Sequence, residues 1–353
     1  MKRIDWLDFC RSLAIILVLY GHSELLVCCD VKIYKLIPIG GFIGVQLFFV
    51  LSGFLIARII LENEGKDKWL LNFLIRRWLR TVPNYFLFLI ANLFLCALYI
   101  REIGNSDIRL YIVFLQNLIW HIGEFYPESW TLADEELFYL IIPILIYLTA
   151  KLLIKSIYKS TVTISFILII FGAIAREFYV IYNDPLFDEG VRKVALLQMD
   201  SFAYGVLLQC IFSSEIIKKY IKYLRLISIL ILTQPLYSIF FGEDYNHSFF
   251  AKTYLFSLTN IGAAGLLILG YEISFSSYIR KFFGHISRIS YSIYLVNLPI
   301  IYILIYIRAN NKLNNIIIIL LYIFITYIIS LLVCNYFERF FLKIRDKYCH
   351  DIH

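Results

Sequence analysis

Arg11 and His22 stand eleven positions apart in RSLAIILVLYGHS (residues 11–23), with an almost unbroken apolar stretch between them. On an α-helix that spacing is about three turns, roughly 16 Å of axial rise. At ~100° per residue the two side chains share a face. Asp8, three positions before Arg11, lies near the same face. An acid–base pair at one end of a stripe and an imidazole at the other suit the binding of an anionic group and the movement of a proton. A histidine in a span also has a plainer use, a hydrogen bond to a neighbouring helix, and the stretch by itself leaves both readings open.

Further polar groups interrupt other apolar segments. In GGFIGVQLFFVLSGFL (40–55), Gly40 and Gly44 are spaced for close helix contact, while Gln46 and Ser52 are polar groups able to line a cavity. In RRWLR (76–80), Arg76 and Arg80 share a helical face and Arg77 is offset by one position. Such a cluster holds phosphate through bidentate guanidinium forks, and it equally fits the ordinary basic loops of a membrane protein. In ESWTLADEELFYLIIP (128–143), Glu135 and Glu136 sit beside Trp130 at the mouth of an apolar run. Carboxylates there orient or charge-balance an imidazole, act as bases, or simply favour the first turn of a helix. Asp200, in LLQMDSFAYG, is mid-run and demands a partner. Asn297, just ahead of Pro299, suits a helix-to-helix hydrogen bond.

The elements that must position these groups follow from composition. Of 353 residues, 61% are hydrophobic and only 17% charged, and the charges cluster between apolar runs. Runs near 12–29, 40–60, 82–100, 137–154, 161–180, 191–212, 226–241, 253–271, 289–307 and 315–334 mostly approach the length that spans ~30 Å of hydrocarbon. Residues 109–121 are too short to span and read as an interfacial or re-entrant helix. The expectation is an all-α polytopic membrane protein with about ten transmembrane helices and both termini cytoplasmic. With that orientation, 23 of the 33 Lys and Arg fall in cytoplasmic segments, as the positive-inside bias requires. The same bias accounts for the net charge of +7 without a nucleic-acid partner. The seven cysteines (10, 28, 29, 96, 210, 334 and 349) are odd in number and scattered, with no C-x-x-C spacing, which predicts neither a disulfide framework nor a zinc site. No small-residue cleavage site follows the first run, so it is expected to remain as a span. Without linkers or repeats, the chain reads as one transmembrane domain over 1–345 and a short cytoplasmic tail over 346–353.

Taken together and in order, the segments resemble the acyltransferase-3 family of bacterial membrane acyltransferases. Arg11 and His22 match the R-x(10)-H pattern of its first helix, preceded by the Leu7-Asp8 pair, and GVQLFFVLSGFLI matches its second-helix stretch. Arg77 and Arg80 match Arg-x-x-Arg, and WTLADEELFYLIIP resembles W-S-L-x-x-E-E-x-F-Y-L, with Thr131 where Ser is usual. MDSFAYG and ISYSIYLVNLPI resemble two later segments, the second with Asn297 in place of a histidine, so that only hydrogen bonding remains there. Phe340 also stands where the family often has proline, and the esterase-like domain of some members is not expected here.

The resemblance implies transfer of an acyl group, usually acetyl, from cytoplasmic acetyl-CoA or another acyl-CoA. The acceptor it implies is a hydroxyl of an envelope or exported polysaccharide, or of its lipid-linked precursor. It places the protein in the bacterial cytoplasmic (inner) membrane, with the bilayer as surroundings and neither a metal nor a permanently bound cofactor. Arg11, Arg76, Arg77 and Arg80 are then expected at the CoA phosphates, and His22 as general base or transient acyl carrier. Glu135 is expected to orient or balance His22 from the opposite mouth, with Asp8, Glu136, Asp200 and Asn297 as orienting or structural groups. Two rivals stand beside this reading. A transporter or flippase also uses intramembrane His, Asp and Arg, though the repeated broken helices typical of many transporters are not seen. A membrane scaffold would need none of them for chemistry.

Overall fold

The structure, a computed structural model, describes residues 4–26, 37–66, 68–120, 123, 125–212, 223, 225–233, 236–237, 245–310 and 314–348. Helices dominate, and no strand occurs among the described residues. The longer helices are α1 (Asp5–Ser23), α2 (Ile37–Glu62), α3 (Trp69–Ala97), α4 (Ser129–Thr149) and α5 (Ile157–Asn183). They are followed by α6 (Met199–Phe212), α7 (Tyr254–Leu269), α8 (Ser277–Asn310), α9 (Asn315–Leu332) and α10 (Arg339–Tyr348). Eight helical stretches among the described residues are long and apolar enough to cross a membrane, and Tyr254–Leu269 is a shorter apolar helix. That short helix corresponds to the apolar run at 253–271, and the run at 226–241 lies partly outside the described residues, as do Cys28, Cys29 and Cys349. Helix α10 continues three residues past the expected domain boundary at 345.

Lipid exposure separates the helices. Helix α5 shows Ile167, Ile170, Phe171, Ile174, Phe178 and Ile181 on its outside, and α9 shows Ile316, Leu320, Ile323 and Phe324. In water such stripes would drive aggregation, whereas in hydrocarbon they need no partner. Helices α2, α6 and α8 form the interior instead, and glycine permits the close approach of α2 to α1 and α6. A Cβ at Gly44 would sit 2.7 Å from the carbonyl of Ala14 on α1 and 2.9 Å from Val18. On the other side of α2, a Cβ at Gly53 would run into the carbonyl of Phe202, and one at Gly205 of α6 into that of Val50. Small residues here let backbones touch where lipid supplies no hydrophobic force between helices.

Asp200 finds its partner in Arg176 of α5, which the sequence reading did not single out. The guanidinium forks onto the carboxylate at 2.7 and 2.6 Å and also donates to the Leu197 carbonyl at 2.6 Å and to Ser257 at 3.1 Å. Neither side chain is exposed (0% each), so this pair belongs to the scaffold.

Three helix boundaries differ from the hydropathy runs. Helix α4 starts at Ser129 rather than near 137, α3 at Trp69 rather than near 82, and α8 at Ser277 rather than near 289. The polar residues Glu136 and Ser287 are buried against α3 and α1, and Asp134 against Asn117, so helix extends past the point where lipid-compatible sequence stops. Residues 109–121 also correct the expectation, because only Ile108–Ile112 is helical there. The Asn117 amide is drawn to Asp134 at 2.9 Å and to the Lys193 carbonyl at 2.9 Å, while its own carbonyl accepts from the Ala195 N–H at 2.8 Å. These bonds outcompete helical ones.

Removing one member of a buried ion pair leaves an uncompensated charge, at a cost of about 3–5 kcal/mol, whereas an apolar replacement of both is often neutral. Asp200→Leu is therefore expected to lower the midpoint of thermal unfolding sharply, read by fluorescence-detected size exclusion in detergent. The double variant Arg176→Met/Asp200→Leu is expected to recover most of that loss.

Candidate active site

Two cavities lie along α1. The first, near Arg11, is small, about 80 Å³, and is walled by α1, α2, α3, α4 and α8. Arg11, Arg77 and Arg80 line it together with Ser52, Glu135, Tyr139 and Tyr291, against the apolar Phe48, Phe49 and Leu132. Two grooves surround its arginine end. One, about 280 Å³, holds Arg76, Arg77, Arg80, Lys66 and Arg345. The other, about 430 Å³, holds Asp8, Arg11, Arg58, Arg80, Arg288 and Arg345. Arg80 thus lines all three spaces, and Arg76 belongs to a groove rather than to the inner cavity. Arg58, Arg288 and Arg345 were not singled out in the sequence, since each stands alone in a basic segment and only folding gathers them.

The second cavity, about 510 Å³, lies at the far end of α1. His22 lines it with Glu24, Glu128, Asp188, Arg192 and Lys193, beside the aromatic rings of Trp130, Phe187, Tyr245, Tyr294 and Tyr302. Arg192 stacks over the Trp130 ring at 5.1 Å and pairs with Asp188, which Lys193 also meets at 2.5 Å. Among the described residues, Val45 and Tyr294 line both cavities, which therefore adjoin there.

His22 is oriented across the helix interface by Asn297 of α8. The Asn297 amide nitrogen is committed to the carbonyls of Tyr294 (2.5 Å) and Ile293 (3.3 Å), so its Oδ1 faces Nδ1 of His22 at 2.5 Å. An oxygen acceptor there places the proton on Nδ1, a tautomer assigned from the bonding network. The lone pair of the neutral ring then sits on Nε2, the form needed in a general base or nucleophile.

Glu135 corrects the expectation. It accepts from Ser52 at 2.9 Å and lies in the arginine cavity, so the partner that orients His22 is Asn297. The physical reason is the early start of α4, which carries Glu135 nearly two turns into the helix and away from the mouth. Glu136 accepts from Thr81 on α3, and the Thr81 carbonyl accepts from Tyr291 at 2.9 Å, so Glu136 braces the cavity wall. Asp8 accepts from Ser287 at 2.7 Å and holds α1 to α8 beside Arg11. Asp200 lines neither cavity.

Glu128 stands at the N-cap position of α4, without a capping hydrogen bond from its side chain, and lines the histidine cavity. Neither carboxylate oxygen has a hydrogen-bond partner among the described residues. Burial pushes its carboxyl up to about 7, with the charge of Arg101 pulling part of the way back. Its folded form binds a proton more tightly than the unfolded chain does. The resulting stability is complete below the ordinary carboxyl range near 4.5 and is lost as pH rises through about 7. Glu128→Gln is expected to flatten the fall of the unfolding midpoint between pH 5 and pH 7.5, and midpoints parallel to the wild type would contradict this assignment.

The sequence model of the family described as "Acyltransferase domain" matches residues 4–335. Over 176 residues the chain is 31% identical to a peptidoglycan O-acetyltransferase, OatA, of Listeria monocytogenes, covering 44% of this chain and 27% of that protein. It is 30% identical over 162 residues to a putative peptidoglycan O-acetyltransferase, YrhL, of Bacillus subtilis, covering 41% and 25%. A putative O-acetyltransferase of Staphylococcus aureus strain COL is 27% identical over 335 residues, covering 85% of this chain and 51% of that protein. The chain thus spans between a quarter and a half of the length of these curated relatives. No solved structure matches it significantly. With nearly its whole length under the family model and the arginine and histidine motifs facing two adjoining cavities, the chain belongs to this family of membrane acyltransferases.

Proposed function

We propose that this protein is an O-acyltransferase of the bacterial cytoplasmic membrane that moves an acetyl group from acetyl-CoA to a hydroxyl of an envelope glycan or its lipid-linked precursor. The observation that carries this reading is the pair of cavities along α1, one cationic and one holding His22, which share Val45 and Tyr294 in their walls. The arginines of the small cavity and its grooves suit the phosphates of CoA, in keeping with the planar fork geometry of guanidinium. The arginine end would face the cytoplasm, and the pantetheine arm would enter past Arg80 toward the partition. The wider cavity suits a glycan, since its aromatic rings offer flat faces to sugar rings and its charged groups accept and donate hydrogen bonds. The names of the two peptidoglycan relatives support a cell-wall glycan as the acceptor class.

In the mechanism, Nε2 of His22 takes the proton of the acceptor hydroxyl as its oxygen attacks the thioester carbonyl. The new C–O bond forms, the C–S bond breaks, and CoA leaves as a thiolate that the proton from His22 neutralises. Asn297 keeps the ring in the productive tautomer and stabilises the imidazolium through its oxygen.

The test is the acetyl-ester content of purified envelope glycans from cells lacking the protein, carrying it, or carrying His22→Ala at matched membrane abundance. Esters are expected only with the intact protein, and equal content in all three would overturn the reading. Asn297→Leu is expected to lower transfer by up to roughly 10²- to 10⁴-fold, the span that general acid–base catalysis contributes, because the ring loses the acceptor that fixes its tautomer. Initial rates on purified protein at equal folded amounts check it.

A further inference from the structure

We infer that Val45 and Tyr294 set the length of the acyl group the enzyme accepts, and that they restrict the donor to acetyl. This rests on the acyltransferase reading above and adds to it a determinant of donor specificity. In the transfer, one carbonyl carbon must be reached from two sides, by sulfur from the arginine cavity and by the acceptor oxygen from the histidine cavity. The C–S bond breaks and the C–O bond forms at a single point. Among the described residues only Val45 and Tyr294 line both spaces, so the carbonyl carbon lies beside them.

The alkyl part of the acyl group has little room there. The space on the donor side is about 80 Å³, against about 510 Å³ on the acceptor side, and its apolar wall near the partition is Val45, Phe49 and Leu132. Sulfur occupies one direction from the carbonyl and the incoming oxygen another, so the alkyl chain must turn toward that wall. A methyl fits, and each further methylene presses on side chains that are already packed.

The partition is also rigid. Val45 is 6% exposed and follows Gly44, whose missing Cβ seats α2 directly on α1. The Tyr294 hydroxyl accepts from Thr131 at 2.7 Å and donates to the Glu128 carbonyl at 3.2 Å, which ties α8 to the start of α4. The Tyr294 carbonyl in turn accepts from Asn297, the residue that orients His22. Widening the gap by moving Tyr294 would therefore disturb the base, whereas Val45 touches no hydrogen bond of the site. Position 45 is the one to alter.

The experiment uses the full-length chain purified in detergent, with acetyl-, propionyl- and butyryl-CoA as donors and envelope glycan stripped of its esters by mild base as acceptor. The readout is the ratio of propionyl to acetyl transfer on one preparation, from which any loss of folded protein cancels. Val45→Ala is expected to raise that ratio by about 10- to 200-fold, the range for one methylene in an apolar pocket. Val45→Ile, which adds a methyl, is expected to lower it and serves alone should the alanine variant not fold. Acetyl transfer that persists with an unchanged ratio in these variants would overturn the inference and leave the acyltransferase reading intact. A wild-type protein that transfers none of the three acyl groups would overturn both.

Discussion

The hydrogen bond between Nδ1 of His22 and Oδ1 of Asn297 is the constraint on which the site depends. It joins residues 275 positions apart, so it exists only once α1 and α8 have packed. It also determines which ring nitrogen keeps its lone pair, because the Asn297 amide is already committed to two backbone carbonyls of α8. Unlike a carboxylate, a neutral amide orients the ring without adding a charge between the helices.

Around that bond the helices are held by contacts of two kinds. Close approach of α2 to α1 and α6 depends on glycine at positions 44, 53 and 205, where any side chain would meet backbone. Cohesion farther out depends on the Arg176–Asp200 pair, sealed from water and lipid alike. The two kinds act on opposite faces of α6, which is thus clamped between α2 and α5. Helix α2, which carries Val45, is thus held on two sides, by α1 at Gly44 and by α6 at Gly53 and Gly205.

Much of the site was legible in the sequence because its residues violate the rules of lipid. Arg11, His22, Asp200 and Asn297 stand out as polar groups in apolar runs, and the arginines of RRWLR stand out as a cluster. The family motifs then gave the order. Hydropathy placed the helix starts poorly for the same reason. It reports what faces lipid, and Glu135 and Glu136 accept from Ser52 and Thr81 of other helices, so a helical segment read as a mouth. From that one misplacement followed the pairing of Glu135 with His22, which the structure replaces with Ser52 and Asn297 respectively. Arg176 escaped notice because a single arginine near the end of an apolar run looks like an interfacial anchor. Its partner lies 24 residues on, across a connection whose path periodicity does not describe.

Val45 and Tyr294 lie inside two of the family stretches, GVQLFFVLSGFLI and ISYSIYLVNLPI, yet the motifs assign them no role. Each looks like packing, one in a run of large apolar residues and the other in an aromatic-rich segment. Nothing about residue type marks them, since a partition needs bulk and firmness rather than charge. Their importance comes from position alone, at the one place where a cationic space and a histidine-bearing space share a wall. The proposed transfer, with donor and acceptor approaching from opposite sides of the membrane, needs such a place. The barrier must be thin enough for two reacting atoms to meet, yet closed enough to keep the bilayer sealed. Two side chains held by a glycine contact on one helix and a hydroxyl bridge on another satisfy both requirements.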